Sequence, residues 1–165
     1  MHDGKGKPWL QLQSLAAVPL KTAFSSGYRI TKTVTPVEQK QAEKYQRGDI
    51  LRVNIDIDAQ TDMTWVVATD PIPAGATLLG SGLGRDSAIA TAAERSSGQA
   101  WLAYEERSFD SFRSYYQFVP KGKFSMSYTV RLNNAGEFHL PSTRVEAMYA
   151  PEMFGESPNA LMIVK

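Results

Sequence analysis

The sequence predicts an all-β protein, an antiparallel β-sandwich with a short helical or loop insertion around residues 78–98. Two observations support this fold class. About eight or nine short segments are rich in β-branched and aromatic residues, which suit a pleated sheet. Turn residues separate these segments at regular spacing, and several connections are short enough for hairpins. With 165 residues, the chain is expected to form one domain, 1–165, around one core.

The first third of the chain predicts three strands. Residues 9–18 alternate apolar and polar side chains between two prolines, and residues 28–37 are rich in Thr, Val and Ile after a loop closed by Gly27. Residues 38–47 are polar without an apolar stripe, so we expect a solvated loop or a single helical turn. Residues 50–57 show the clearest alternation in the chain and predict a strand with one buried face.

The middle of the chain predicts one strand and the insertion. Residues 63–70 form the strand, which ends where Pro71 and Pro73 remove ladder donors. In the segment 78–98 a glycine-rich stretch precedes an alanine-rich one, and Asp86 or Ser87 is suited to cap a short helix.

The last third predicts a series of hairpins. Strands are expected at 101–109, 112–119, 124–132, 137–140, 143–149 and 160–164. The strand at 143–149 has two different faces, and we expect Pro141 and Pro151 to mark its ends, because proline cannot donate to a ladder hydrogen bond.

Composition argues against several classes of function. The net charge is +1, from 18 basic and 17 acidic residues, which argues against nucleic acid and an anionic membrane surface as partners. The chain has no cysteine, which excludes disulfides and a cysteine nucleophile within it. Apolar runs are far shorter than the ~20 residues of a membrane helix, so direct membrane insertion is not expected. The first residues lack the apolar core of a signal peptide, and we expect the chain to be a fragment of a much larger protein.

Four patterns resemble functional sites, and each has a simpler interpretation. The glycine-rich run 80–85 lacks the rest of a phosphate-binding motif and is better interpreted as a loop. Asn54, Asp56, Asp58 and Asp62 lack the spacing of a calcium loop and suit a solvated strand face. The charged group at Glu105, Glu106, Arg107, Asp110 and Arg113 suits cross-strand ion pairs.

The fourth pattern is the aromatic series, which suits a carbohydrate or partner surface, although core filling is the better interpretation for most members. Its members are Trp9, Trp65, Trp101, Phe109, Phe112, Tyr115, Tyr116 and Phe118. The two histidines, His2 and His139, assemble no metal site or serine-histidine relay. The residues therefore predict no catalytic, cofactor or metal site.

Three motifs, in order along the chain, resemble the C-terminal macroglobulin-like domain of bacterial alpha-2-macroglobulins, a family of large envelope protease inhibitors. They are Gly48-Asp49 with its strand and the run from Trp65 to Gly75; Tyr104-Glu105-Glu106-Arg107 with Pro120-Lys121-Gly122 and Tyr128 to Arg131; and Gly136 to Glu152, the most specific. The resemblance covers Gly4 to about Gly155. Ser142 departs from it, since a second proline is common there.

The resemblance implies a macroglobulin-like, immunoglobulin-like sandwich and a role as a non-enzymatic module of a broad-spectrum protease trap. The implied partners are other domains of the parent, including a thioester domain if one is present, and target proteases through the parent. The implied location is the periplasm or cell envelope, with a role in bacterial defence. The thioester motif itself needs a cysteine, so this chain cannot carry out the covalent step.

The predicted interdomain surface is the loop after the strand at 143–149, where apolar side chains lie on a rigid turn. Its residues are Met148, Tyr149, Pro151, Glu152, Met153 and Phe154. The alternative from another class is an extracellular adhesin or carbohydrate-binding sandwich that uses exposed aromatic residues, with Trp101 as its test position.

Overall fold

The structure is a computed structural model that describes residues 6, 9, 11–16, 18–80, 94 and 97–165. These residues form twelve strands and no helix. The strands are β1 (Phe24–Ser26), β2 (Tyr28–Glu38), β3 (Ile50–Ala59), β4 (Met63–Pro71), β5 (Thr77–Leu78), β6 (Trp101–Arg107), β7 (Ser111–Val119), β8 (Gly122–Arg131), β9 (Gly136–Phe138), β10 (Thr143–Ala147), β11 (Ala150–Ser157) and β12 (Met162–Val164).

Two antiparallel sheets form the sandwich. One has six strands in the order β1-β11-β10-β4-β7-β6, and the other has four in the order β2-β3-β8-β5. A third, two-stranded sheet pairs β12 with β9. The predicted antiparallel sandwich is therefore confirmed.

The core lies between the two large sheets because each strand turns alternate side chains inward. In β3 the inward residues are Leu51, Val53, Ile55 and Ile57, all buried, as the alternation predicted. Aromatic rings join the sheets: Phe112 of β7 lies 4.7 Å from Tyr128 of β8, and Tyr116 lies 5.1 Å from Phe124 between ring centroids. The domain thus has one main hydrophobic core.

The prediction of a strand at 9–18 is wrong. The described residues 9, 11–16 and 18 belong to no strand and are exposed. An alternating pattern favours a strand only where a neighbouring strand supplies hydrogen bonds, and none pairs with these residues in the described part of the chain.

Predictions further along the chain differ mainly in boundaries. Residues 39–49 form the expected polar connection, and the buried carboxylate of Asp49 accepts hydrogen bonds from the backbone N–H groups of Lys40 (3.1 Å) and Gln46 (2.9 Å). The predicted insertion at 78–98 mostly lies outside the described residues. Its described ends hold β5 and Ser97, which bridges to Ser125.

Near the C-terminus, the predicted strand at 143–149 is shorter than expected, because β10 ends at Ala147 and residues 148–149 form a turn. Pro151 does not end the ladder as predicted, because β11 continues through it to Ser157. The short strand β1 was also not predicted.

Candidate functional site

The predicted interdomain surface forms the tip of the β10–β11 hairpin. Ala147 pairs with Ala150 across the turn, whereas the next pair is Glu146 with Phe154. Residues 151–153 of β11 therefore form a bulge that faces no residue of β10. A bulge accommodates Pro151, since its missing N–H breaks no ladder bond there.

Met148 and Tyr149 are the exposed residues of the turn. Met148 is 50% exposed and Tyr149 is 78% exposed. The N–H of Met148 donates to the carbonyl oxygen of Trp65 in β4 at 2.8 Å, so the turn is fixed to the neighbouring strand. Trp65 has a φ of 53°, a left-handed conformation that a bulky residue rarely adopts. The tip therefore presents a thioether and a phenol ring from an anchored backbone.

Pro151 and Glu152 are also exposed, whereas Met153 and Phe154 are half-buried. The side chain of Met153 packs against the bare backbone of Gly27, which has a φ of 119°; a Cβ there would lie 2.4 Å from the Met153 methyl carbon. The ring of Phe154 stacks on the ring of Phe24, with 5.3 Å between the centroids. The guanidinium carbon of Arg144 lies over the Phe154 ring, 4.6 Å from its centroid. These contacts hold the bulged strand β11 of the hairpin within the domain.

A buried polar cluster connects the base of this hairpin to both sheets. The carboxylate of Asp70, at the end of β4, is fully buried and accepts a hydrogen bond from Lys32 Nζ of β2 at 2.8 Å. Tyr128 of β8 donates to the other carboxylate oxygen at 2.5 Å, and Thr143 of β10 also donates to this carboxylate. Burial, and then the charge of Asp70, raise the pKa of Tyr128 well above its ordinary value.

This cluster was not predicted, because Asp70 was assigned only to a strand end. A signal was present in the alternation of β4, since Asp70 falls on the same face as Val66 and Ala68, which are both fully buried. A carboxylate on a core face requires charged or polar partners, so the pattern predicts a buried cluster here.

The other candidate residues are dispersed. Asp56 is exposed and Asn54 and Asp58 are half-buried on the outward face of β3, while Asp62 accepts a hydrogen bond from the N–H of Lys121 at 2.6 Å. The described residues include no group of carboxylates or histidines suited to a metal ion. The glycine-rich run 80–85 lies outside the described residues except for Gly80.

The charged group around residue 106 forms ion pairs, of which Glu106–Arg113 is the cross-strand pair that was predicted. Glu106 pairs with Arg113 in register, with 3.0 Å between carboxylate oxygen and guanidinium nitrogen. Arg107 bridges to Glu105 at 3.6 Å, and Arg113 also reaches Asp110 at 3.3 Å. Hydrogen bonding from Ser108 is the main cause that lowers the pKa of Asp110, which favours its charged form.

The aromatic series is divided between core and surface. Phe112 and Tyr116 fill the core, as predicted, but Trp9, Trp65, Trp101 and Phe109 are exposed. Trp101 belongs to β6, the edge strand of the six-stranded sheet. His139 is exposed outside any strand. No helix in the described ranges has the length and apolar character needed to cross a membrane.

Comparison with known proteins shows the family of this chain. Residues 27–152 match the model of the bacterial alpha-2-macroglobulin MG10 domain. Among curated proteins, the chain is 26% identical over 153 residues to an alpha-2-macroglobulin homolog of Nostoc, and 30% identical over 129 residues to the alpha-2-macroglobulin of Pasteurella multocida. These alignments cover 85% and 77% of this chain, but only 8% and 6% of the two relatives.

A solved structure supports the same fold. The chain is similar to trypsin-activated alpha-2-macroglobulin from Escherichia coli, with a TM-score of 0.72 and 21% identity. The match covers 87% of this chain and 11% of that protein. In each of these comparisons, this chain corresponds to a small part of a much longer protein.

Proposed function

This chain belongs to the bacterial alpha-2-macroglobulin family, as its MG10 domain, and we propose that it is the non-catalytic C-terminal module of a protease trap. In this proposal the domain packs against neighbouring domains of its parent, including a thioester domain where the parent has one. Target proteases are partners of the parent, and the periplasm or cell envelope is its location.

The tip of the β10–β11 hairpin is the observation that carries this proposal. Tyr149 and Met148 expose a large apolar area, yet their backbone is fixed by the bond from Met148 to Trp65. A rigid aromatic anchor loses little conformational freedom when it is buried in a partner. Tyr and Met are also enriched in protein interfaces, where a few such residues carry most of the binding energy.

The base of the hairpin suits a domain that moves as one body. The Asp70 cluster joins β2, β4, β8 and β10 through charge-assisted hydrogen bonds, which are stronger than neutral ones. The cluster therefore fixes β10 to both sheets, so the hairpin belongs to the same rigid sandwich.

The experiment compares single variants in the full-length parent. Tyr149→Ala is expected to weaken the interdomain contact about thirtyfold and so to reduce the fraction of protease trapped, because loss of one interface hot spot costs about 2 kcal/mol or more. Phe109→Ala is the matched control, since it removes an equally exposed aromatic ring from another site. Unchanged trapping by Tyr149→Ala would mean that this surface does not serve the trap.

A second candidate function is glycan binding, which the exposed aromatic residues of β6 favour. Trp101 and Tyr104 are each 63% exposed, and flat aromatic faces of this kind suit stacking on sugar rings. A glycan array probed with this chain tests the idea. Binding that Trp101→Ala abolishes and Tyr149→Ala leaves intact would favour glycan binding over interdomain packing.

A further inference from the structure

We propose that Trp65 is a second anchor of the contact made by Tyr149, so that the same neighbouring domain of the parent covers both side chains. The inference rests on the proposed function and adds to it a residue of β4 that lies outside the predicted Met148–Phe154 surface. Three observations support it: the left-handed backbone of Trp65, its position beside the hairpin tip, and its exposure.

Trp65 is the residue at which the alternation of β4 changes phase. Met63 packs against the core and Val66 is fully buried, although residues three apart in a regular strand lie on opposite faces. β7 changes phase at the same place, since Tyr116 and Val119 are both buried and pair in register with these two residues. The φ of 53° at Trp65 accompanies this change. Both strands thus keep their apolar residues inside, and Trp65 is left 44% exposed.

The residue type at position 65 is unfavourable for the fold alone. A side chain with a Cβ is strained at this φ, whereas glycine adopts it without that cost. Trp65 recovers only part of the cost by packing, because 44% of its surface stays exposed. Strained conformations cluster at functional sites, where another requirement maintains them. We therefore assign the indole to a contact outside this domain.

Trp65 lies directly beside the hairpin tip. Ala147 pairs with Val66, so the antiparallel register puts Met148 opposite Trp65. The 2.8 Å hydrogen bond from the N–H of Met148 to the carbonyl oxygen of Trp65 continues this ladder. Trp65, Met148 and Tyr149 are all exposed, and their backbones adjoin. Side chains that carry most of the binding energy of an interface cluster in this way, and aromatic residues and Met are enriched among interface residues.

The chemistry of this patch suits a protein surface as its partner. Thr64 precedes Trp65, and Gln117 lies opposite it in the register of β4 and β7; both are exposed and uncharged. Apolar anchors among uncharged polar neighbours are typical of protein interfaces, whose cores are depleted of charged residues. The alignments with two curated relatives cover only 8% and 6% of their lengths, so most of each relative lies outside this domain. The partner is therefore a domain of the same parent.

Two pairs of substitutions in this chain test the backbone strain. Trp65→Gly is expected to melt about 2–8 °C above Trp65→Ala, because glycine removes the cost of the left-handed conformation. Thr64 is also exposed in β4, but its φ is not positive. There the order should reverse, with Thr64→Gly below Thr64→Ala, because glycine weakens a regular strand. Thermal melts followed by circular dichroism measure both differences, and a Trp65→Gly midpoint at or below that of Trp65→Ala would contradict the proposal.

Alkylation of a Trp65→Cys variant tests the partner. In the native parent the thiol is expected to react at least about tenfold more slowly than in this chain alone, because a covered group reacts only through opening of the contact. Phe109→Cys is the control at an exposed position in the turn between β6 and β7, and it should react at similar rates in both proteins. Equal rates for Trp65→Cys in the two proteins, or the same slowing at both positions, would overturn the proposal.

The Tyr149→Cys variant separates failure of this inference from failure of the proposed function. Protection at position 149 with fast alkylation at position 65 would refute the second anchor alone. Fast alkylation at both positions in the native parent would refute the hairpin contact as well. Slow alkylation of Trp65→Cys in the isolated chain, relieved by dilution, would identify a second copy of this chain as the partner and would also overturn the inference.

Discussion

Lys32 Nζ lies 2.8 Å from Asp70 Oδ1 and links the four-stranded sheet to the six-stranded sheet through the core. The Asp70 carboxylate is fully buried and the Lys32 side chain is 14% exposed. The same Lys32 nitrogen also donates to Asn159 Oδ1 at 2.8 Å, which ties the segment after β11 to the cluster. The pair thus fixes both the relative position of the sheets and the base of the hairpin.

We expect Asp70→Asn to lower the free energy of unfolding of this chain by about 3–5 kcal/mol, because it leaves the ammonium of Lys32 buried without its counter-charge. Urea unfolding followed by circular dichroism measures this loss. Asp56→Asn is the matched control on an exposed position of β3 and should change stability by less than about 0.5 kcal/mol. A loss no larger than that of the control would show that the pair does not stabilise the domain.

The hydroxyl groups of Tyr28 and Tyr128 are expected to contribute with opposite sign. Tyr128 donates to Asp70, so Tyr128→Phe should cost about 1–3 kcal/mol. The buried hydroxyl of Tyr28 has no partner among the described residues, so Tyr28→Phe should be neutral or stabilising at pH 7. Equal losses in urea unfolding would contradict the assigned hydrogen bonds.

Alkaline pH should destabilise the domain through Tyr28. Burial raises the pKa of this phenol from 10.0 to about 12, so the folded state disfavours the phenolate. The contribution of Tyr28 to the free energy of unfolding is fully present below the pKa of the unfolded state, near 10. It is lost as the pH rises towards 12. Urea unfolding between pH 8 and 12 should show this fall, and Tyr28→Phe should make it shallower. Identical pH profiles for the two proteins would refute this assignment.

Gly155 allows β11 to approach β2 closely. A Cβ at this position would lie 2.2 Å from the carbonyl oxygen of Tyr28, so the backbone would have to move. Gly155→Ala is therefore expected to destabilise the chain by more than about 2 kcal/mol. Gly6→Ala is the control, because a Cβ there meets no atom of the described residues within 4 Å. A thermal melt with the same midpoint for both variants would disagree with this packing.

Strands with one buried face were predictable from the sequence. β3, β4, β7 and β8 appear within about two residues of their predicted bounds, because alternating burial gives a period of two. The segment 9–18 has the same signal, but its described residues pair with no strand in the described part of the chain. The local sequence pattern shows which face of a strand is apolar. Whether the strand forms also depends on a partner strand, whose residues lie far away in the sequence.

The candidate site was predictable only in part. The sequence indicates the apolar residues around Tyr149, but it wrongly predicts that Pro151 ends a strand. A bulge in β11 accommodates this proline. The bulge depends on the register between β10 and β11, which cannot be read from the positions of the prolines alone. The partners of Asp70 come from three other strands, so only its own position on the core face could be anticipated.

Accessibility of position 149 in the parent tests the central claim most directly. This chain has no cysteine, so a Tyr149→Cys variant gives it a single thiol that mass spectrometry can locate after alkylation. We predict fast alkylation in the isolated chain and in the denatured parent, and at least about tenfold slower alkylation in the native parent, because the thiol is covered by another domain. Equally fast alkylation in the native parent would contradict the claim that the hairpin tip is an interdomain contact.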